Sequence, residues 1–173
     1  MREVLLGLGS NKSFNNEEPV QLLYSACLKL NKIITGLTAS SVYITKAMYV
    51  TNQSDFYNMV VKGFIEDDIS PEKLLDEIHL IESELGRDRS KEFRFGPRSM
   101  DIDIELFGDE IINTSELQIP HIRLRERAFV LIPALEILKD SADVKTRDLF
   151  NIYLSKLSEK DKKEIRLFSK PVI

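Results

Sequence analysis

Apolar residues recur along the chain with two periods, and these periods predict strands alternating with helices. The segment 3–11 begins as an apolar strand and ends in a Gly-Ser-Asn turn signal. From Glu17 to about Ile34, apolar residues recur at helical spacing, whereas segments 37–45 and 56–66 have strand character. The first third of the chain therefore predicts a strand, a helix and two further strands.

The second half begins with another helix signal. Ser70 offers a capping hydroxyl before Pro71, and an apolar stripe follows as far as Gly86, which ends the predicted helix. A polar arm (87–98), a strand (100–106) and a helix interrupted at Pro133 come next.

The order β-α-β-β-α-β predicts a ferredoxin-like α+β fold, an antiparallel sheet with helices packed on one face and loops forming the active site. A doubly wound sheet fits less well, because no helix joins the two middle strands. We expect one domain over residues 1–173, in which 145–173 form a peripheral tail that is charged and helical from about Asp148.

Composition narrows the class of protein. The chain has 173 residues, of which 43% are hydrophobic, and a formal net charge of -4, as is usual for globular domains rather than nucleic-acid-binding proteins. One cysteine, Cys27, excludes an internal disulfide framework and a thiolate zinc cage. No run of about 20 apolar residues predicts a membrane span, and the N-terminus enters a strand without a leader-like region. We expect a cytoplasmic protein without a membrane or nucleic-acid partner.

The predicted strand 100–106 carries the first candidate chemistry. Side chains alternate between the faces of a strand, so Asp101, Asp103 and Glu105 share one face and the intervening isoleucines share the other. Asp101 and Asp103 lie roughly 6.5–7 Å apart at Cα, so both carboxylates can reach a small cation. Oxygen ligands of this kind favour magnesium. The alternative is an edge strand with a solvated acidic face.

The polar arm supplies positive charge and aromatic rings. Arginine forks bind phosphate oxygens, and aromatic rings cover planar ligands. Arginines for phosphate beside carboxylates for metal are typical of phosphoryl transfer. The alternatives are a solvated loop or a groove for single-stranded nucleic acid, whose backbone the acidic strand would repel. The arm residues concerned are Arg87, Arg89, Lys91, Phe93, Arg94, Phe95 and Arg98.

Four further polar residues remain open from their positions alone. His121 lies in a loop rich in arginine, where a surface or capping role competes with phosphate binding. His79 and Glu82 are expected on the surface of the second helix. Asn58 interrupts a strand face and is either a strand-start residue or a group that binds the edge of a planar heterocycle.

Several motifs together resemble one family. The segments "RFGPRSMDIDIELFG" and "INTSELQIPHIRLRERAFVLIPALEI", with "LGLGSN", "VYIT" and "DFYNMVV", are similar to 6-hydroxymethyl-7,8-dihydropterin pyrophosphokinases of folate biosynthesis. The resemblance extends from about Leu5 to Leu138. It implies a ferredoxin-like fold and transfer of the pyrophosphoryl group of ATP to the hydroxymethyl oxygen of the dihydropterin, with release of AMP.

The resemblance also implies roles for individual residues. Asp101 and Asp103 would bind two Mg²⁺ ions that also hold the ATP phosphates. The catalytic arginines would be Arg87, on a mobile arm, with Arg89 and Arg98 on the phosphates. The nucleotide site would comprise Glu82, Arg89, Phe95, Arg98, Ile104, His121 and Arg127. The pterin would bind Thr45, Phe56, Asn58 and Phe129, with its ring between the two phenylalanines.

The sequence departs from the family pattern after Thr45, where Lys46 and Ala47 replace the usual prolines. A degenerate relative that binds pterin but turns it over slowly is therefore one alternative. Another is a non-catalytic ferredoxin-like module that binds a nucleotide or RNA. We expect a monomer acting on ATP and the dihydropterin.

Overall fold

The computed structural model describes residues 1–47, 53–91, 96–139 and 143–171. From the N-terminus to β5, strands and helices follow the order that the apolar periods predict, except that the predicted strand 37–45 forms two strands. The strands are β1 (Arg2–Ser10), β2 (Thr35–Ala39), β3 (Val42–Thr45), β4 (Phe56–Ile65), β5 (Asp101–Phe107), β6 (Ile112–Asn113), β7 (Gln118–Ile119) and β8 (Arg166–Ser169). The helices are α1 (Pro19–Leu30), α2 (Pro71–Glu84), α3 (Ala128–Leu138), α4 (Val144–Lys156) and α5 (Glu159–Lys163), with a 3₁₀ turn at Leu124–Glu126.

The main sheet has the strand order β5-β1-β4-β3-β8, and β2 also pairs with β4. All these pairings are antiparallel. β1 lies between β4 and β5, and β5 is an edge strand. This order confirms the predicted α+β class with an antiparallel sheet.

The ends of the helices follow local sequence signals. The Ser70 hydroxyl accepts a hydrogen bond from the Lys73 N–H, and Pro71 occupies the first turn of α2. Gly86 follows α2 with a φ of +87°, a conformation that favours glycine. A side chain at that position would also overlap the ring of Phe14. Both predicted signals are therefore confirmed.

One face of the sheet packs on α1 and α2 and forms the larger hydrophobic cluster. On β1 this face carries Val4, Leu6 and Leu8, and on β5 it carries Ile102 and Ile104. The predicted alternation on β5 is confirmed, because the acidic residues that alternate with these isoleucines face the opposite side of the sheet.

Helices cover both faces, so the prediction of helices on one face was wrong. α3 packs on Leu5 and Val60, and both residues belong to a second cluster. The reason is that β1 and β4 are apolar on both faces in their middle, and α3 is apolar around much of its circumference. α3 also continues through Pro133 instead of breaking there, because buried residues on both sides of the proline anchor it.

Two further features differ from the predicted elements. The predicted strand 37–45 is divided at Ser40, whose hydroxyl accepts the Val60 N–H at 2.9 Å. The last segment contains the strand β8, which pairs with β3 and extends the sheet, in addition to the expected helices. Phe150 of α4 is fully buried in the second cluster.

None of the helices within the described ranges is both long and apolar enough to cross a membrane.

Candidate active site

A cleft of about 360 Å³ opens on the α3 side of the sheet. Its floor is the backbone of β1 at Gly7 and Gly9. A Cβ at Gly7 would lie 3.0 Å from Glu105 Oε1, and one at Gly9 would lie 3.2 Å from Asn58 Oδ1. The glycines therefore leave room for the polar side chains of β4 and β5 at the floor of the cleft. A volume of this size suits a small-molecule ligand.

One wall of the cleft consists of the acidic residues of β5. The side chains of Asp101 and Asp103 are 26% and 31% exposed, whereas that of Glu105 is fully buried. The alternation of the strand thus brings together the two carboxylates that the sequence predicts as metal ligands.

Arginines from three segments reach this acidic wall. Arg87 donates to Asp101 Oδ1 at 2.6 Å, and Arg98 donates to Asp101 Oδ2 at 2.7 Å. Arg127, which precedes α3, donates to Asp103. The structure therefore joins the start of the arm, its end and the α3 loop at the two carboxylates. Such charge-assisted bonds hold both partners in defined orientations.

The turn after β1 fixes the position of Arg98. The Asn11 side-chain oxygen accepts the Arg98 N–H at 2.8 Å, and the Asn11 N–H donates to the Arg98 carbonyl at 3.0 Å. Ser10 donates to the Ser99 carbonyl at 2.6 Å. The Gly-Ser-Asn segment thus anchors the end of the arm as well as ending β1.

The charges of the wall shift the pKa values of its members. Burial raises the pKa of Asp101, but Arg87 and Arg98 outweigh burial and hold it below its usual range. Burial and the neighbouring Asp103 raise the pKa of Glu105 to about 8. Burial opposes the charge of Arg127, but Asp103 and Glu105 keep its pKa above its usual value.

Glu82 is buried at the open edge of β5, so its expected place on the helix surface was wrong. It accepts the Ile102 N–H at 2.8 Å and pairs with Arg87 and Arg89. Burial raises the pKa of Glu82, whereas Arg87 and the Ile102 N–H oppose that rise. Glu82 and Arg89 line a second, shallow depression beside the cleft. His79 is exposed, as expected.

His121 lies near the same edge of the sheet, with its side chain 19% exposed. Burial and the neighbouring Arg127 lower its pKa, which favours a neutral ring. Its Nδ1 accepts the Arg123 N–H at 3.1 Å, so the neutral ring carries its proton on Nε2. The side chain of Ile104 is buried in the core, so only its backbone can contact a ligand.

The lining of the cleft also includes two aromatic rings and an amide. Phe56 and Phe129 both line the cleft. Asn58 is buried and donates to the Thr45 hydroxyl at 2.9 Å. The four residues predicted for the pterin therefore line a single cleft.

Several lining residues are not among the predicted ones. They include Lys46, Gln53, Arg123 and Glu126, as well as Glu105. The alternation of β5 places Glu105 on the face of Asp101 and Asp103, as the sequence predicts, although no role was assigned to it. Of the predicted nucleotide residues, Phe95 lies outside the described residues.

The donor set fits magnesium. Among the described residues, no three His, Cys, Asp or Glu side chains converge on a point that could hold a metal ion. Magnesium does not require such a cage, since it is commonly bound by one or two carboxylates together with water and substrate phosphates. Asp101 and Asp103 supply two carboxylates in a cleft that also presents arginines.

Comparisons with known proteins agree with this arrangement. A 2-amino-4-hydroxy-6-hydroxymethyldihydropteridine pyrophosphokinase of Haemophilus influenzae is 40% identical over 137 residues, which cover 78% of this chain and 81% of the relative. The enzyme of the same name from Aquifex aeolicus is 39% identical over 137 residues, covering 79% of this chain and 81% of the relative.

Solved structures show the same fold. The chain matches wild-type Plasmodium falciparum HPPK-DHPS with pteroate at a TM-score of 0.66 and 16% identity. The match covers 96% of this chain and 45% of the other, so the chain spans about half of that protein. Residues 5–139 match the profile of the 7,8-dihydro-6-hydroxymethylpterin-pyrophosphokinases. Together with the enzymes about 40% identical, this match confirms the resemblance: the chain belongs to the 7,8-dihydro-6-hydroxymethylpterin-pyrophosphokinase family.

Proposed function

We propose that this chain transfers the pyrophosphoryl group of ATP to the hydroxymethyl oxygen of 6-hydroxymethyl-7,8-dihydropterin, giving AMP and the pterin pyrophosphate for folate synthesis. The observation that carries the proposal is the composition of the cleft. The cleft offers two aromatic rings and a buried amide together with two aspartates and three arginines. A flat heterocycle and a polyphosphate chain need these two kinds of surface.

In this proposal the pterin binds to the two phenylalanines and the asparagine that line the cleft. Its ring lies between Phe56 and Phe129, where stacking contributes beyond the burial of apolar area. Asn58 binds the polar edge of the ring through its amide, which can both donate and accept hydrogen bonds. Thr45 already binds Asn58 and orients that amide.

The nucleotide lies along the acidic wall and the edge of β5. Arg89 and Arg98 bind its phosphates, Arg87 closes over the reactants, and Arg127 and His121 complete the nucleotide site with Glu82. Because these arginines now pair with carboxylates, binding of the phosphates exchanges one set of charge-assisted bonds for another. A neutral His121 can donate from Nε2 to a phosphate oxygen.

Asp101 and Asp103 are the residues that would hold two magnesium ions. The bound ions would neutralise negative charge on the phosphates. The carboxylates share one strand face and lie in the same cleft as Arg98. The number of ions is part of this proposal.

The reaction forms one bond and breaks one bond. The hydroxymethyl oxygen of the pterin attacks the β-phosphorus of ATP, the bond from that phosphorus to the α,β-bridging oxygen breaks, and AMP leaves with the bonding electrons. The hydroxyl proton is released to solvent. The chain contributes alignment and charge neutralisation, and one clamping arginine is worth about 10³–10⁵ in rate in comparable phosphoryl transfers.

The test is the identity of the nucleotide product. The protein is mixed with ATP, magnesium and the dihydropterin, with omission of each in turn, and the nucleotides are separated. AMP that requires both pterin and magnesium supports the proposal, whereas ADP means phosphoryl transfer to a different acceptor. Saturable ATP binding without product indicates a binding module or a degenerate relative. The cytoplasmic location and the monomeric state both stay predictions. Size-exclusion chromatography tests the monomeric state.

A further inference from the structure

Glu105 is the one acidic residue of the β5 cleft face to which the proposed function gives no role. Its side chain is fully buried, although it belongs to a strand whose other acidic side chains reach the cleft. Gly7 makes room for it, because a Cβ at Gly7 would stand 3.0 Å from Glu105 Oε1. The carboxyl group therefore occupies a space that a larger residue on β1 would close.

Its contacts lead to two residues of the nucleotide site. Glu105 Oε1 lies 3.4 Å from Arg127 Nη1, the same nitrogen that donates to Asp103. The Glu105 carbonyl accepts the His121 N–H at 3.1 Å, and Oε2 lies 4.0 Å from His121 Nδ1. Asp103 and Glu105 thus share one nitrogen of Arg127, with Asp103 as the closer partner.

We propose that Glu105 is a positioning residue that retains Arg127 at the nucleotide site when Asp103 is engaged by a bound ion. The inference rests on the proposed function, since it takes Asp103 as a magnesium ligand and Arg127 as a nucleotide residue. An arginine that loses its closer carboxylate keeps its place only if a second hydrogen-bond acceptor lies within reach. Glu105 Oε1 is that second acceptor, and its position is fixed because the side chain is buried.

If Glu105 had a purely structural role, both of its buried carboxyl oxygens should have hydrogen-bond partners. Within the part of the chain that the structure describes, Glu105 Oε2 has no hydrogen-bond partner although it is buried. A buried acceptor without a partner lowers the stability of a fold. An apolar replacement should therefore leave the fold as stable as the wild type or more stable, while it weakens nucleotide binding.

The experiment measures nucleotide affinity and thermal stability separately. The variants are Glu105→Leu and Glu105→Met, which remove the acceptor oxygens and keep a similar volume, and Glu105→Gln, which keeps an oxygen toward Arg127. Glu116→Gln is the control, because Glu116 is exposed outside the cleft. The probe is the α,β-methylene analogue of ATP with magnesium, which cannot transfer its pyrophosphoryl group, and its Kd is measured by calorimetry.

We expect both apolar variants to weaken the Kd about tenfold, with a Tm equal to or above the wild-type value. Glu105→Gln should recover most of the affinity, and Glu116→Gln should match the wild type. In an Arg127→Gln background, Glu105→Leu should cause no further loss, because its effect passes through Arg127.

Three results would overturn the inference. The first is an unchanged Kd in both apolar variants. The second is a Tm well below the wild-type value in both, which would make Glu105 a structural residue. The third is that Glu105→Leu weakens the Kd as much in the Arg127→Gln background as in the wild type. Failure of the proposed function is distinguishable, since then the wild-type protein itself would not bind the analogue in a magnesium-dependent way.

Discussion

Arg87 and Asp101 are joined by a 2.6 Å hydrogen bond that links the start of the arm to the acidic strand. The same arginine pairs with Glu82, which in turn accepts the Ile102 N–H at 2.8 Å. Burial of these groups means that none of the charges can separate without a replacement partner. Phosphate and magnesium are such replacements, so the network can exchange its partners when substrates bind.

Replacement of either strand carboxylate should abolish turnover without unfolding the protein. We expect Asp101→Asn and Asp103→Asn to lower the rate of AMP formation by about 10³-fold or more, because each removes a charge that would hold magnesium against the phosphates. Asp109→Asn, in the exposed turn after β5, is the matched control. The rate is measured with saturating substrates, and circular dichroism checks the fold. A rate near that of the wild type in either strand variant would contradict the metal assignment.

Removal of the Asn58 amide should weaken pterin binding selectively. Asn58→Ala should raise the Kd of the pterin about 10- to 100-fold, because polar groups at the edge of the ring would lose their partner in a buried place. Affinity for the ATP analogue should change little, since Asn58 lies on β4, across β1 from the carboxylates of β5. Pterin fluorescence titration measures the first quantity and calorimetry the second. Equal losses for both ligands would indicate a structural role for Asn58.

The parts of the fold that depend on short-range patterns could be predicted from the sequence. The alternation on β5 was predictable because a strand has a period of two, and the start of α2 was predictable because Ser70 and Pro71 act locally. The division of the strand 37–45 was not, because it depends on a hydrogen bond from Val60, twenty residues away, to the Ser40 hydroxyl.

The pairing of the site residues also depends on distant parts of the chain. Arg127 and Asp103 are 24 residues apart, and only the packing of α3 on the sheet brings them together. Arg87 and Asp101 meet because Glu82 holds both the arm and the strand edge. Motifs can therefore suggest which residues act, but the partner of each charge requires the fold.

Glu136 of α3 should contribute to stability through the β3 region. Its carboxylate accepts hydrogen bonds from the Ser41 N–H, the Ser41 hydroxyl at 2.7 Å and the Tyr43 hydroxyl at 3.0 Å. We expect Glu136→Ala to lower the free energy of unfolding by about 1 kcal/mol, a modest value because the side chain is exposed. Urea denaturation measures it, with Glu116→Gln as the control. A midpoint unchanged from the wild type would mean that these bonds contribute nothing.

Cys27 should resist thiol reagents in the folded protein. Burial raises the pKa of its thiol from 9.0 to about 12, so both access and ionisation oppose reaction. An aromatic disulfide reagent at pH 8 should label the thiol only after addition of denaturant. Fast labelling of the native protein would contradict the buried position.

The same shift predicts a loss of stability in alkali. Between pH 9 and pH 12 the unfolded thiol ionises while the folded thiol stays neutral, so the free energy of unfolding falls as pH rises. The slope from one such group is at most about 1.4 kcal/mol per pH unit. Cys27→Ala should lose this contribution, so denaturation curves of the two proteins at pH 8 and pH 10 are compared. Identical pH dependence would mean that the thiol is not buried in this way.

The most direct test of the central claim follows the β-phosphate of ATP. The protein is incubated with magnesium, the dihydropterin and ATP labelled at the β-phosphorus, and the label is traced among the separated products. Pyrophosphoryl transfer predicts that the label moves to the pterin and that the AMP formed is unlabelled. Label that remains in a nucleoside diphosphate would contradict the account, because the bond broken would then be the one between the β- and γ-phosphates.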